Sequence, residues 1–227
     1  MDLGLKGKVV LVTGASKGIG YACAQAFASE GANVVLLDLK SPATKQTFIQ
    51  TNLLDAQSVQ AAAEQTVQRF GRVDVLCNLA GGFRMGAPVH ETSPQDWDFL
   101  FNLNARTVLH TAKAFVPAML KGGGGKIVNV GAHAAQKGAA RMGAYIASKS
   151  AVIRLTETMA AELREQNINV NCVLPTIIDT PENRAAMPDA DPRKWVAPQD
   201  LAAVILFLAS DAARAIHGAA LPVTGLS

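Results

Sequence analysis

Tyr145 and Lys149 form a pair whose residue types and spacing indicate chemistry. Residues four positions apart lie on one face of a helix, so the phenol and the ammonium are expected to be neighbours. An ammonium beside a phenol stabilises the phenolate and lowers its pKa. A phenol with a lowered pKa can exchange a proton with a substrate oxygen or nitrogen near neutral pH. The pair therefore predicts general acid–base catalysis by Tyr145.

A glycine-rich segment from Thr13 to Gly20 follows an apolar run and opens a helical pattern. Glycines permit a tight turn and a close approach of the backbone to a pyrophosphate, and a helix N-terminus presents unpaired N–H groups to the phosphates. The segment therefore predicts a dinucleotide site. The cofactor-binding residues expected in it are Gly14, Ser16, Lys17, Gly18, Ile19 and Gly20.

Asp38 ends the next apolar run and bears on the choice of cofactor. A carboxylate there accepts hydrogen bonds from the adenosine ribose and repels a 2′-phosphate. Lys17 is the opposing feature, because its ammonium could reach a 2′-phosphate. NAD(H) is the expected cofactor and NADP(H) the alternative, since the carboxylate should lie nearer the ribose.

Apolar runs of strand type alternate with longer helical patterns, and this order predicts an α/β fold. The strand-like runs are Lys8 to Thr13, Asn33 to Leu37, Val73 to Asn78, Lys126 to Val130 and Val170 to Leu174. The helical patterns are Ile19 to Ser29, Ala56 to Phe70, Trp97 to Lys121, Ala144 to Gln166 and Gln199 to Ser210. The alternation predicts a three-layer Rossmann fold, with a doubly wound, mostly parallel sheet and helices on both faces. Little room remains for a crossover helix between Asp38 and Asn52. No second domain is visible, so residues 1–227 are interpreted as a single dinucleotide-binding catalytic domain.

Composition and charge exclude several classes of protein. The 227 residues are 49% hydrophobic and 17% charged, which favours a folded core over disorder. The net charge of +3 is spread along the chain without a basic cluster, so no nucleic-acid partner is expected. No signal-peptide pattern and no apolar run of about 18 residues is visible, so we expect a cytoplasmic protein without a membrane partner. The three cysteines are interpreted as reduced core thiols, and the histidines have no metal-ligand spacing, so no metal site is expected.

The pattern Gly14-x3-Gly18-x-Gly20, followed by Tyr145-x3-Lys149, resembles that of the short-chain dehydrogenase/reductase family over nearly the whole chain. The resemblance implies that Lys149 also holds the nicotinamide ribose and that Asn104 anchors a water in the proton path. It also implies self-association, as a homotetramer or a dimer, and a small-molecule substrate. The further cofactor contacts that it implies are at Asn52, Leu53, Asn78, Ala80, Gly81, Pro175, Ile178 and Thr180.

Ala132 stands where the family usually has a serine that binds the substrate oxygen. A donor of that kind can contribute about 3 kcal/mol of transition-state stabilisation. Its absence predicts a substrate that does not need it, a replacement donor, or a weak enzyme. His133 is the candidate replacement donor, with an exposed or packing histidine as the alternative. Ser148 is expected to face elsewhere. Met187 and Trp195 are candidates to line the substrate pocket, with packing of the loop as the alternative for Trp195.

The stretch Gly131 to Ala135 resembles the quinoid dihydropteridine reductases, which are known for alanine at this place. Three functions therefore stay open. The first is hydride transfer between NAD(H) and a carbonyl or alcohol. The second is reduction of a quinonoid pterin, in which charge spreads over several heteroatoms and a second donor matters less. The third is an NAD(H)-sensing protein with weak turnover, against which the retention of Asn104, Tyr145 and Lys149 argues.

Overall fold

Seven parallel strands form one sheet in the computed structural model, which describes residues 3–227. The strand order is β3-β2-β1-β4-β5-β6-β7, and every neighbouring pair is parallel. The strands are β1 (Val9–Thr13), β2 (Asn33–Asp38), β3 (Thr47–Gln50), β4 (Val75–Asn78), β5 (Gly125–Val130), β6 (Ile168–Pro175) and β7 (Ala220–Val223). Strands β1, β4 and β6 are buried along their whole length, because helices cover both faces of the sheet.

Helices pack on both faces of this sheet and give a three-layer structure. The helices are α1 (Gly18–Ser29), α2 (Ala56–Phe70), α3 (Pro94–Phe101), α4 (Thr107–Lys121), α5 (Gly143–Leu163), α6 (Pro181–Ala186) and α7 (Pro198–Leu208). One apolar core lies between the sheet and α2, α4 and α5, and a second lies between the sheet and α1 and α7. The chain therefore winds from β1 in both directions, which confirms the predicted doubly wound Rossmann fold.

The elements differ from the sequence predictions at the sheet edges and in one helix. Strands β3 and β7 were not predicted, and both are four-residue edge strands. The predicted helix from Trp97 to Lys121 is α3 and α4 joined by a π-helical turn, Asn102–Arg106. The crossover from β2 to β3 has no helix, as the sequence predicts. Among residues 3–227, no helix combines the length and the apolar character that spanning a bilayer requires.

Candidate active site

The predicted site residues lie at the carboxyl ends of the strands. All strands run in one direction, so Thr13, Asp38, Asn78, Val130 and Pro175 end their strands at the same edge of the sheet. Strand β1 and its neighbour β4 begin the two oppositely wound halves, and the crevice between such halves is where an open α/β sheet binds ligands. The fold therefore collects at one crevice residues that lie far apart in the sequence.

The loop between β1 and α1 requires its glycines for three different reasons. Gly14 has φ +64°, and a Cβ on it would lie 2.8 Å from the Cα of Ala80. Gly20 lies under the loop, where a Cβ would approach the Gly14 carbonyl oxygen to 2.1 Å. Gly18 has φ +56° and faces open space. The first two thus serve the turn and helix packing, and the third leaves room for a ligand against the backbone.

The N-terminus of α1 is open to an anion. Lys17 is the N-cap residue, and no side chain among residues 3–227 caps this end of the helix. The first N–H groups of a helix lack intrahelical partners and carry partial positive charge. Ser16, Gly18 and Ile19 are at least partly exposed around this end. The residues present therefore fit the pyrophosphate of a dinucleotide.

A hydrogen bond connects the Asp38 carboxylate to the same loop. Its Oδ2 accepts a hydrogen bond from the Ser16 N–H at 2.9 Å, and its Oδ1 accepts one from the Leu39 N–H at 2.7 Å. These bonds hold the carboxylate at the end of β2, beside the glycine loop. The half-buried position leaves it accessible to a ribose hydroxyl.

Lys17 extends from the same loop to a different partner. Its ammonium forms an ion pair with the carboxylate of Glu182 in α6, and the two side chains are 75% and 58% exposed. The hydrogen bond from Lys17 lowers the pKa of Glu182. The pair joins the glycine loop to the segment that follows β6.

The turn after β4 is organised by Thr13. Its hydroxyl accepts hydrogen bonds from the N–H groups of Leu79 at 2.9 Å and Ala80 at 3.1 Å. Asn78 itself faces the core, where its amide donates to Asn129 Oδ1 and its Oδ1 accepts from the Thr111 hydroxyl, both at 2.8 Å. The predicted cofactor contact at Asn78 can thus involve its backbone, whereas its side chain links β4 to β5 and α4.

Asn104 lies in the π-helical turn between α3 and α4 and is 1% exposed. Its Oδ1 accepts from the Gly82 N–H at 2.9 Å, and its Nδ2 donates to the Gly82 carbonyl at 3.1 Å and to Ser148 Oγ at 3.0 Å. Ser148 donates in turn to the Tyr145 carbonyl at 2.8 Å. Ser148 is buried and connects Asn104 to the helix of Tyr145. π-Helical turns of this kind are frequent at functional sites.

Lys149 is a buried cation. It is 5% exposed, and its Nζ donates to the Val130 carbonyl at 2.8 Å. Burial lowers its pKa to about 8. A Cβ on Gly81 would lie 3.0 Å from both Lys149 Nζ and Asn104 Oδ1, so the turn after β4 brings these two side chains together.

The pKa of the Tyr145 phenol differs from the lowered pKa that the sequence predicts. Burial raises the pKa of Tyr145 to about 12, so the predicted lowering by Lys149 is wrong for this geometry. The Lys149 ammonium is engaged by the Val130 carbonyl, and burial disfavours the charged forms of both groups. The Tyr145 ring is held by an edge-to-face contact with Phe83, with centroids 4.9 Å apart. The protonated phenol is thus the form present at neutral pH.

The candidate substrate residues differ in their access to the crevice. Ala132 is 3% exposed and packs in the core at the end of β5, and His133 begins the 3₁₀ turn His133–Gln136 and is half-buried. Met187 is half-buried directly after α6. Trp195 is 7% exposed, and the C-terminal segment packs against its backbone at Gly225. This burial favours the packing role for Trp195.

The remaining predicted cofactor residues flank the crevice at the ends of β3 and β6. Asn52 is exposed, and the carbonyl of the half-buried Leu53 lies 2.9 Å from His110 Nδ1. Pro175 is the last residue of β6, and the Ile178 carbonyl accepts from Asn183 Nδ2 at 2.7 Å. Thr180 caps α6 by accepting from the Asn183 N–H at 3.2 Å.

Four contributing residues were not identified from the sequence: Thr13, Gly82, Ser148 and Glu182. Thr13 carries a weak signal, because it is a polar residue at the end of an apolar strand. Ser148 lies three residues after Tyr145, which places it near the same helix face. Gly82 and Glu182 act through tertiary contacts that no local pattern encodes.

The cysteines and the potential metal-ligating side chains of the described residues do not contribute to this site. Cys23, Cys77 and Cys172 are buried and unpaired, as predicted, and burial raises the pKa of each thiol. Within residues 3–227, His, Cys, Asp and Glu side chains form no group of three that could hold a metal ion.

Comparison with known proteins agrees with this geometry. Residues 8–191 match the family model described as short chain dehydrogenase. The chain is 37% identical over 245 residues to D-threitol dehydrogenase of Mycolicibacterium smegmatis, covering 99% of this chain and 94% of that protein.

Two solved structures show the same fold. Aldohexose dehydrogenase of Thermoplasma acidophilum superposes with a TM-score of 0.91 at 31% identity, covering 99% of this chain and 95% of the other. Carveol dehydrogenase of Mycobacterium avium, solved in complex with NAD, superposes with a TM-score of 0.87 at 30% identity, covering 96% of each chain.

Proposed function

The chain belongs to the short-chain dehydrogenase/reductase family of oxidoreductases, and we propose that it transfers hydride between NAD(H) and a carbonyl or alcohol group of a small molecule. One observation carries the proposal. Asn104, Lys149 and the helix of Tyr145 meet at the turn after β4, beside a glycine loop whose Ser16 N–H binds the Asp38 carboxylate. This placement supports a proton-transfer group and a dinucleotide site in one crevice.

The cofactor would be held along the carboxyl edge of the sheet. The N-terminus of α1 would bind the pyrophosphate, and Asp38 would accept hydrogen bonds from the adenosine ribose. Lys149 would hold the nicotinamide ribose, as the family resemblance implies. A bound nicotinamide supplies or accepts the hydride in such a reaction. The Asp38 carboxylate supports NAD(H) over NADP(H), because it would repel a 2′-phosphate.

Tyr145 would exchange the proton. With its pKa raised to about 12, the phenol is a proton donor at neutral pH, which suits reduction of a carbonyl. Oxidation of an alcohol needs the phenolate, and a Lys149 ammonium released from Val130 would favour that form. Asn104 would anchor the water through which the proton continues, because its amide is fixed by Gly82 and Ser148.

The relatives indicate where to look for substrates. D-threitol dehydrogenase and aldohexose dehydrogenase are named for polyhydroxylated compounds. A secondary hydroxyl of a polyol or sugar is therefore the first alcohol class to test. A ketone of the same class is its counterpart in the reverse direction.

A quinonoid pterin is the second candidate, and Ala132 is the observation that favours it. The Ala132 side chain offers no hydrogen-bond donor at the end of β5, where it is buried in the core. Reduction of a delocalised ring spreads the developing charge over several heteroatoms, so a single missing donor matters less than in a simple ketone.

The test is turnover against a defined panel with both cofactors. For reduction, the panel contains quinonoid dihydropterin, a quinone, an aliphatic ketone and an aryl ketone, each with NADH or NADPH. For oxidation, it contains threitol, sorbitol and glucose, each with NAD⁺ or NADP⁺. Turnover of a ketone or polyol with NAD(H) is the expected result. Turnover of the pterin alone selects the second candidate. NADH binding without turnover of any compound contradicts both and indicates an NAD(H)-sensing protein.

A Tyr145→Phe variant supplies the matched control. It keeps the ring and its contact with Phe83 but removes the hydroxyl. Loss of a general acid–base group is expected to lower kcat by roughly 10²–10⁴-fold, with NADH binding unchanged by fluorescence titration. Undiminished turnover in the variant would contradict the assignment of Tyr145.

A further inference from the structure

The Lys17–Glu182 ion pair joins the glycine loop to the segment that follows β6. Lys17 precedes α1 in the glycine loop, and Glu182 lies in α6, which follows β6. Asp38 ends β2, and in the sheet β2 and β6 are separated by β1, β4 and β5. The pair therefore draws the Lys17 ammonium toward the half of the sheet opposite Asp38.

The adjacent loop residues Ser16 and Lys17 bind different carboxylates. The Ser16 N–H donates to the Asp38 carboxylate, whereas the Lys17 ammonium pairs with Glu182. No ion pair joins Lys17 to Asp38 in the described part of the chain. The cation of the glycine loop is therefore paired with Glu182 and not with Asp38.

We propose that Glu182 is a positioning residue for cofactor specificity, which withholds the Lys17 ammonium from the adenosine 2′-position and so disfavours a 2′-phosphate. This inference rests on the proposed function insofar as a nicotinamide dinucleotide occupies the crevice. It assigns specificity to two carboxylates: Asp38 repels the phosphate directly, and Glu182 removes the cation that would attract it.

The pair can be altered without disturbing the fold. Both side chains are largely exposed, and α6 is capped independently by Thr180 through the Asn183 N–H. An exposed ion pair contributes little to stability and is screened by salt. Glu182→Gln removes the charge, keeps the shape and releases Lys17.

The experiment measures binding directly, so it does not depend on a known substrate. Dissociation constants for NADH and NADPH are determined by nicotinamide fluorescence, and those for 2′,5′-ADP by calorimetry, on wild type and variants. Glu182→Gln is expected to shift the ratio of NADPH to NADH affinity by about fivefold toward NADPH. Glu182→Asp is expected to keep most of the wild-type ratio. The shift should vanish in 1 M salt, where the Debye length is about 3 Å.

Two controls separate this role from a general change in charge. Asp191→Asn removes a carboxylate from the same segment that pairs with Arg193 instead, and it should leave the ratio unchanged. The double variant Lys17→Ala with Glu182→Gln should lose the gain, because the released cation is gone. Thermal melts of each variant confirm that the fold is retained.

The possible failures are distinguishable. An unchanged ratio in Glu182→Gln, or a gain that persists without Lys17, overturns the role of Glu182 while leaving the proposed function standing. Wild-type protein that binds neither NADH nor NADPH overturns the proposed function and this inference together.

Discussion

Burial of the Lys149 ammonium lowers the stability of the folded chain. Its burial lowers the pKa from 10.5 to about 8, so between these values the unfolded chain binds more protons than the folded chain. The free energy of unfolding therefore rises with pH across this range, and the full penalty is present below pH 8. The shift corresponds to about 3 kcal/mol.

Lys149→Met should therefore stabilise the protein while removing its activity. We expect the variant to unfold at higher urea than wild type at pH 7, with the difference shrinking as the pH approaches 10. Urea unfolding of both proteins at pH 7, 8.5 and 10 measures this. A difference that stays constant with pH would show that the burial penalty is not the cause. Unchanged turnover by the variant would contradict the role of Lys149.

Ser148 is the residue whose effect on the site is predicted to be indirect. It accepts from Asn104 and donates to the Tyr145 carbonyl, so Ser148→Ala removes one anchor of the Asn104 amide. We expect kcat to fall roughly tenfold, equivalent to about 1.4 kcal/mol, with the NADH dissociation constant unchanged. Ser150→Ala is the matched control, because Ser150 lies on the same helix and donates to Ala135. An equal fall of kcat in both variants would contradict a specific role for Ser148.

At the scale of elements, the strands that could be predicted from the sequence are the buried ones. The interior strands β1 and β4 are covered on both faces, so they are mostly apolar runs that the sequence reveals. Strand β6 is equally buried although it contains Asn169 and Asn171. The edge strands β3 and β7 lack this signal, and β7 contains Pro222, which an edge strand tolerates. The π-helical turn is equally hidden, because its shifted hydrogen-bond register leaves the helical apolar pattern nearly intact.

The sequence indicates candidate residues for the site but not the electrostatics around them. Tyr145, Lys149 and the glycine loop carry local spacing, so their identity follows from the sequence. The pKa of Tyr145 depends on how far the fold buries the phenol and on where the Lys149 ammonium points, and both are tertiary facts. The Lys17–Glu182 pair joins residues 165 positions apart, which no local pattern reveals.

The packing of α1 under the glycine loop gives a prediction at this scale. A Cβ at Gly20 would lie 2.1 Å from the Gly14 carbonyl oxygen, so Gly20→Ala must push the helix and loop apart. We expect a loss of about 1–3 kcal/mol in stability and of at least about tenfold in NADH affinity. Urea unfolding and fluorescence titration measure these. Gly138→Ala, at a position with open space for a Cβ, is the control. Tight NADH binding by Gly20→Ala would contradict the loop as the pyrophosphate site.

At the scale of the whole molecule, α4 carries an apolar stripe on its outer face. Leu109 and Leu120 are 56% and 41% exposed, and half-buried Val116 lies between them at helical spacing. On α3, Trp97 and Phe99 are each 42% exposed. Exposed apolar patches on a folded chain indicate an interaction surface, and most soluble oligomers are symmetric assemblies of one chain. We therefore expect this face to pair with a second copy.

Light scattering coupled to gel filtration tests the expected homodimer or homotetramer at micromolar concentration. Leu109→Glu places a charge in the stripe, where burial against a second copy would be costly, so it should shift the mass toward the monomer. Leu54→Glu is the control, because Leu54 is 49% exposed but lies in the loop before α2. A monomeric wild type would contradict self-association, and equal dissociation of both variants would contradict the α4 face.

If the dimer forms through α4, the adjoining π-helical turn that holds Asn104 would be stabilised by the second copy. Leu109→Glu should then lower kcat as it dissociates the assembly.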